Sequence, residues 1–318
     1  MKNSILNIKL CALILMTVFT SCSKNDDSTD EMGQESYNTE MAITDAPIDH
    51  ADVKAAVVTI TGVKVDGKSI EGFNTTTVDL MTLQQGKMMT LGNLDLTAKT
   101  YSSISLIMDY ESDATGNFPG CYVETADGVK HQLKSSANEI KINDKVDVLA
   151  STANKIIIDF DLRKTIIAAT KAEDKFDFVT AAELSSGIRL VNNLETGSIS
   201  GTVSDNKNTS EKIVVFAYKT GTFNEAEAEG QGASNVAFAN AVTSTTVDTT
   251  TNSFKLNFLK EGDYEAHFAS YSDTNNDGKL EFNGMLNVES LTNVQIGQIK
   301  VTSNINIGLN VAVTGIKK

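Results

Sequence analysis

The chain has no tryptophan, two prolines, three cysteines and three histidines in 318 residues, and each shortage excludes something. Three cysteines cannot build a disulfide scaffold, and three histidines leave little from which to assemble a zinc enzyme. Basic residues are short too: 27 Lys and Arg face 41 Asp and Glu, a formal charge of −14. Phosphate backbones need patches of Lys and Arg, so this balance argues against nucleic acid as a partner. No Gly-x-Ser-x-Gly, His-Glu-x-x-His, phosphate loop or Gly-x-Gly-x-x-Gly occurs. What is present is 41% hydrophobic residues, enough for packed cores, and the length of two ordinary domains.

The N-terminus carries the most specific short signal. Leu10 to Phe19 is an apolar run behind Lys2 and Lys9, too short to span the ~30 Å of bilayer hydrocarbon but suited to a signal peptide. Thr20 and Ser21 then precede Cys22. The stretch resembles a bacterial lipobox, in which Cys22 takes acyl chains such as palmitate and becomes the first residue after cleavage. An ordinary secretory signal that contains a cysteine is the alternative. Removing residues 1–21 takes away Lys2 and Lys9 and moves the formal charge from −14 to −16. Residues 22–38 are polar and acidic with no apolar period, which reads as a disordered tether. Lys24-Asn25-Asp26-Asp27 resembles the tag that exports some Gram-negative lipoproteins to the cell surface, with a plain solvated spacer as the alternative. The resulting expectation is an outer-membrane, lipid-anchored protein, exposed at the cell surface and attached through Cys22.

Beyond the tether the dominant period is two. Residues 301–313 alternate Val301, Ile305, Ile307, Leu309, Val311 and Val313 with Thr302, Asn304, Asn306 and Asn310, which predicts one strand. Ile156, Ile158, Phe160 and Leu162 likewise oppose Lys155, Asp159, Asp161 and Arg163, predicting a solvent face for the charged set. Residues 53–65 and 213–219 are apolar and β-branched enough for central strands. Helical pattern is scarce: 164–174 suits a short helix, and 223–230 a helical turn with its acidic residues exposed. Regular short strands with Asp-Gly and Thr-Gly turns predict an all-β chain of two antiparallel β-sandwich domains in tandem, 39–193 and 194–318. A mixed α+β fold is the alternative.

Residues 41–62 read MAITDAPIDHADVKAAVVTITG, followed by Val78-Asp79-Leu80, Leu91-Gly92, Ile158-Asp159-Phe160-Asp161 and Ile188-Arg189-Leu190. This set resembles the bacterial family termed domain of unknown function 4382. The resemblance implies secreted or lipid-anchored surface proteins and no catalytic residue. Gly201-Thr202-Val203, Val214 to Ala217, Phe254-Lys255-Leu256 and Gly262-Asp263-Tyr264 resemble carboxypeptidase-regulatory or transthyretin-like sandwiches, which implies an accessory module.

The best candidate site is Asp273-Thr274-Asn275-Asn276-Asp277-Gly278-Lys279-Leu280-Glu281. Oxygens from Asp273, Asn275 and Asp277, the Lys279 carbonyl and Glu281 converge as a calcium loop requires, and Gly278 allows the sharp turn. Gly284 stands where an EF-hand has its bidentate Glu, so the pattern predicts a β-hairpin calcium loop. A plain Asp-Gly hairpin turn is the alternative. Asp45, Asp49, His50 and Asp52 form an acidic corner that reads more simply as a turn. Asp159 and Asp161 stand two apart on one strand, the arrangement of a paired-carboxylate hydrolase or of surface ion pairs. His131 and His267 stand alone, Cys121 reads as a small buried residue, and 223–250 is either a binding loop or an inert insert.

The leading expectation is a non-catalytic surface binding or adhesion module, stabilised by calcium, with an extracellular glycan or protein as its partner. One alternative is a subunit of a surface assembly that donates 301–313 to a neighbour. Another is a carbohydrate hydrolase using Asp159, Asp161 or the Asp45 corner.

Overall fold

A computed structural model describes residues 35–47, 53–168, 176–207, 210–272 and 281–317. The signal peptide, Cys22 and most of the tether lie outside these residues. Glu35–Lys318 forms one compact unit, and its secondary structure is overwhelmingly β. Among the described residues no helix is long and apolar enough to cross a membrane.

The N-terminal half is built from two main sheets. One runs Ile188–Asn192, Asn154–Asp161, Ser36–Ala46, Met89–Thr97. The other centres on Val53–Val65, flanked by Ile104–Met108 and Tyr122–Thr125. Ile43, Ile156, Ile158 and Phe160 from the first sheet meet Val58, Ile60, Leu106 and Val123 from the second in one apolar cluster. Burying each such side chain contributes roughly 1.5–3 kcal/mol. The Ser36–Ala46 strand runs parallel to Asn154–Asp161 and antiparallel to Met89–Thr97. That parallel pair is a departure from a purely antiparallel sandwich.

The C-terminal half is a curled nine-stranded sheet with Lys212–Lys219, Gly262–Ser272, Glu281–Ser290, Val311–Lys317, Thr196–Ser204 and Ser253–Lys260 along its path. Lys212–Lys219 shows the period of two most clearly. Ile213, Val215 and Ala217 enter the main cluster of this half, while Val214, Phe216 and Tyr218 enter a second one on the opposite face. The second cluster exists because the 223–250 excursion folds back and supplies Phe223, Phe238 and Ala241. The excursion is therefore a packed cover over the sheet, not a free loop.

Three expectations change. Residues 301–313 do not form one strand: Ile299–Val301, Asn306–Gly308 and Val311–Lys317 are separate, with Asn304 at φ 61° between them and Ile305 exposed. The chain turns there because it leaves one partner, Gly262–Ser272, for another, Thr196–Ser204. The last strand pairs with Glu281–Ser290 and Thr196–Ser204 of its own chain, so donating it to a neighbour would open the sheet. Of the helix expected over 164–174, residues 169–174 lie outside the described residues; before them Leu162–Thr165 is helical, and Ile166–Ala168 pairs as a strand with Phe176–Phe178. The turn expected at 223–230 is present as Glu225–Glu229, but Glu227 is buried because Tyr218 and Asn240 hydrogen-bond its carboxylate. A helix the periodicity missed, Ala181–Ser186, is closed by a capping box between Thr180 and Glu183.

Candidate functional site

The charged residues gather where the two halves meet. Thr44, Asp159 and Arg189 stand opposite one another on three neighbouring strands. Asp159 Oδ2 and the Arg189 guanidinium are 2.5 Å apart. Two residues on, Asp161 Oδ2 pairs with Arg163 at 3.2 Å, with Lys164 Nζ at 3.9 Å. Asp159, Asp161 and Arg163 are 4–5% exposed, contrary to the solvent face their alternation predicts. The reason is a further layer: the C-terminal half covers this face of the sheet.

Each of the three cations bonds its own half and the other. Arg163 donates to the carbonyls of Ala237 and Phe238 and lies over the Phe216 ring at 5.2 Å. Lys164 donates to the Ala241 carbonyl. Arg189 donates to Phe258 O at 2.6 Å and Asn257 O at 3.2 Å. Nearby, Ser234 donates through its N–H and hydroxyl to Glu183 at 3.0 and 2.6 Å. Burial opposes ionisation of Glu183, but these bonds and those from Thr180 hold it at about 2.

Burial dominates the electrostatics of this seam. It raises Asp159, although Arg189 pulls the other way, and it lowers Lys164 to about 8 against the attraction of Asp161. Asp45 is raised well above the carboxylate range, first by burial and then by the charges of Asp161 and Asp159. Its Oδ1 accepts the Leu162 N–H at 3.3 Å. A cavity of about 20 Å³ lies beside it, lined by Thr44, Asp45 and Asp159 from one half and Thr243, Ser244 and Thr245 from the other. A wider cleft of about 330 Å³ adjoins it at Pro47 and Gln85 and is lined in part by Lys212 and Asp248.

Of the acidic corner, Asp45 joins this seam; Asp49, His50 and Asp52 lie outside the described residues. So do Cys22 and, in the calcium-type loop, Asp273, Asn275, Asp277 and Lys279. Glu281 opens its strand and pairs in register with Ser272, so the loop is flanked by antiparallel strands as the sequence predicts. Among the described residues no three His, Cys, Asp or Glu side chains converge to hold a metal ion. Cys121 is buried between Thr59 N–H and the Asp109 carbonyl, and burial pushes its thiol up to about 12. His131 packs edge-on against Phe176, and His267 stacks on Phe223 with ring centroids 3.7 Å apart.

Sequence reasoning missed Arg189 and Arg163 as seam residues. The available signal was the equal number of cations and carboxylates within Asp159-Phe160-Asp161-Leu162-Arg163-Lys164, two of each.

Fold and seam together define an all-β protein of two halves, fastened where the cations of buried ion pairs in the N-terminal half donate to backbone carbonyls of the C-terminal half. Residues 38–179 match the family described as Domain of unknown function (DUF4382). No curated protein matches the chain. Among solved structures, the chain is similar to the major pilin subunit BcpA of Bacillus cereus, at 13% identity and a TM-score of 0.23, over 88% of this chain and 71% of that one. The shaft pilin SpaA of Lactobacillus rhamnosus GG gives 13% identity and a TM-score of 0.21, over 89% and 100%. The TIE protein of Bacillus anthracis gives 11% identity and 0.20, over 87% of this chain and 34% of that one, so the chain spans about a third of its length.

Proposed function

We propose that this is a non-catalytic, lipid-anchored cell-surface protein, a binding or adhesion module held away from the outer membrane by its acidic tether and stiffened by calcium at 273–281. The supporting observation is how the carboxylates are used. Asp159 and Asp161, the pair a hydrolase would need, are held by Arg189 and Arg163 and buried between the halves. The adjacent cavity of about 20 Å³ is too small for a sugar ring. Arg163, Lys164 and Arg189, held by these carboxylates, donate to backbone carbonyls of the other half, and such a fastening makes a stiff body, which suits presentation of a surface. Lipidation at Cys22 rests on the lipobox-like sequence, and the calcium site on the spacing of Asp273, Asn275, Asp277, Lys279 and Glu281 between paired strands.

The experiment is a glycan and protein array probed with the full chain in detergent, with and without millimolar calcium, beside a calorimetric calcium titration. Binding to one ligand class and calcium heat lost in Asp277→Asn are the expected results. Hydrolysis of an arrayed glycan would overturn the non-catalytic reading, and absence of calcium heat would remove the metal.

A further inference from the structure

Two residues that line the cavity between the halves each carry a buried polar atom without a hydrogen-bond partner. Asp45 is 6% exposed, and its Oδ2 has no hydrogen bond; Ser244 is 4% exposed, and its Oγ has none either. Both residues line the same cavity of about 20 Å³. An unsatisfied buried polar group costs about 1–3 kcal/mol, and a cavity larger than ~10–15 Å³ has room for the centre of one water-sized body. The site is therefore shaped for one small occupant.

The surrounding charges select its sign. Asp159 lines the same cavity as Asp45 and stands next to Phe160, the register partner of Asp45, so two carboxylate side chains border this space. The nearby cations have their donors turned elsewhere: Arg189 to Asp159, Phe258 and Asn257, Arg163 to Asp161, Ala237 and Phe238, and Lys164 to Asp161 and Ala241. Lys255, which lines the same cavity, is solvent-exposed. A positive charge in the cavity would offset the negative charge gathered there, which a water molecule does not do.

We propose that the seam cavity binds one dehydrated monovalent metal cation, potassium or sodium, between the Asp45 carboxylate and the Ser244 hydroxyl. Thr44, Thr243 and Thr245 offer further oxygens around the same space, and all-oxygen surroundings favour a hard cation. The Asp45 carboxylate, hydrogen-bonded by Leu162 and Gln84 but facing no cationic side chain in an ion pair among the described residues, balances one positive charge. A multivalent ion would want more carboxylates than converge among the described residues. Binding would fasten the halves at a point where both leave an atom unpaired, and the cation would compete with a proton for Asp45.

The test is thermal unfolding of the full chain in detergent, with EGTA present so that the 273–281 loop holds no calcium. Potassium chloride and sodium chloride are compared with choline chloride at equal ionic strength, choline being too large for the cavity. Because the loop is emptied, failure here and failure of the calcium reading are distinguishable. The expected result is a melting temperature roughly 2–4 °C higher in potassium or sodium. The increment should vanish in Asp45→Asn and shrink in Ser244→Ala. Equal melting in all three salts, the result for a cavity holding only water, overturns the proposal. So does an increment that persists in Asp45→Asn or, should that variant not fold, one unchanged in Ser244→Ala.

Discussion

Asp159 and Arg189 face each other in register on adjacent antiparallel strands, and the same guanidinium that holds the carboxylate at 2.5 Å also donates to the Phe258 and Asn257 carbonyls of the other half. One side chain thus neutralises a buried charge and ties the halves together. Replacing Arg189 by Met leaves Asp159 buried without its partner, which costs about 3–5 kcal/mol. Replacing both, as Asp159→Leu with Arg189→Met, should recover part of that loss, because an apolar pair is often neutral beside a buried ion pair. Urea unfolding of the two single variants and the double variant measures the coupling. A double variant as unstable as the sum of the singles would show that the two residues act independently.

The cover over Phe216 and Tyr218 depends on Phe238, which is fully buried and stands 4.5 Å from Phe216, centroid to centroid. Phe238→Ala should cost about 3–5 kcal/mol. It should also release the excursion, whose backbone Arg163 grips at residues 237 and 238. Limited proteolysis should then cut within 223–242, where the parent resists. Resistance equal to the parent would mean that the backbone bonds to Arg163 and Lys164 hold the cover unaided.

The strands and the all-β class were legible because period two is a local property: Ile213 to Tyr218 shows both faces of a central strand in the bare sequence. What lay opposite each face was not. A charged residue alternating with apolar ones looks the same whether water or another protein layer covers it, so Asp159, Asp161 and Arg163 read as a solvent face. The excursion was misleading for a related reason. Its Ala, Asn and Thr content looks inert, yet Phe223 and Phe238 enter the cluster over the C-terminal sheet and Val236 that of the N-terminal half, and their destination is set by distant sequence. Residues 301–313 kept their alternation through a turn because Ile305 is exposed there, an apolar residue on the wrong side.

Gly201, in the strand Thr196–Ser204, lies against the backbone of Leu309 in the link between Asn306–Gly308 and Val311–Lys317. A Cβ at this position would stand 1.8 Å from the Leu309 carbonyl oxygen, and backbone cannot yield as a side-chain tip can. Gly201→Ala should therefore destabilise by about 1–3 kcal/mol, the range for forcing an extra carbon into a packed site. Gly67→Ala provides the contrast. It sits in a turn at φ 79° with nothing within 4 Å, so any loss there is conformational and not steric. A chemical-denaturation midpoint for Gly201→Ala equal to that of the parent would refute the close approach.

Asp45 gives the chain a particular dependence on pH. Its folded-state value is raised above the ordinary 3.8 by burial and by Asp161 and Asp159, while Arg189, Arg163 and Lys164 engage other partners. For a carboxyl raised in this way the folded state holds the proton more tightly than the unfolded chain does. The stabilisation is complete below the unfolded value and is lost as pH rises from there through the folded value. Asp159, raised in the same direction, adds to the trend. In choline buffer, the melting temperature should therefore decline as pH rises above about 4, once the surface carboxylates' opposite contribution is subtracted using Asp45→Asn as reference. That variant cannot ionise and should flatten the decline. A difference between parent and variant that stays constant from pH 4 to 9 would place Asp45 in its ionised form throughout and refute the raised value.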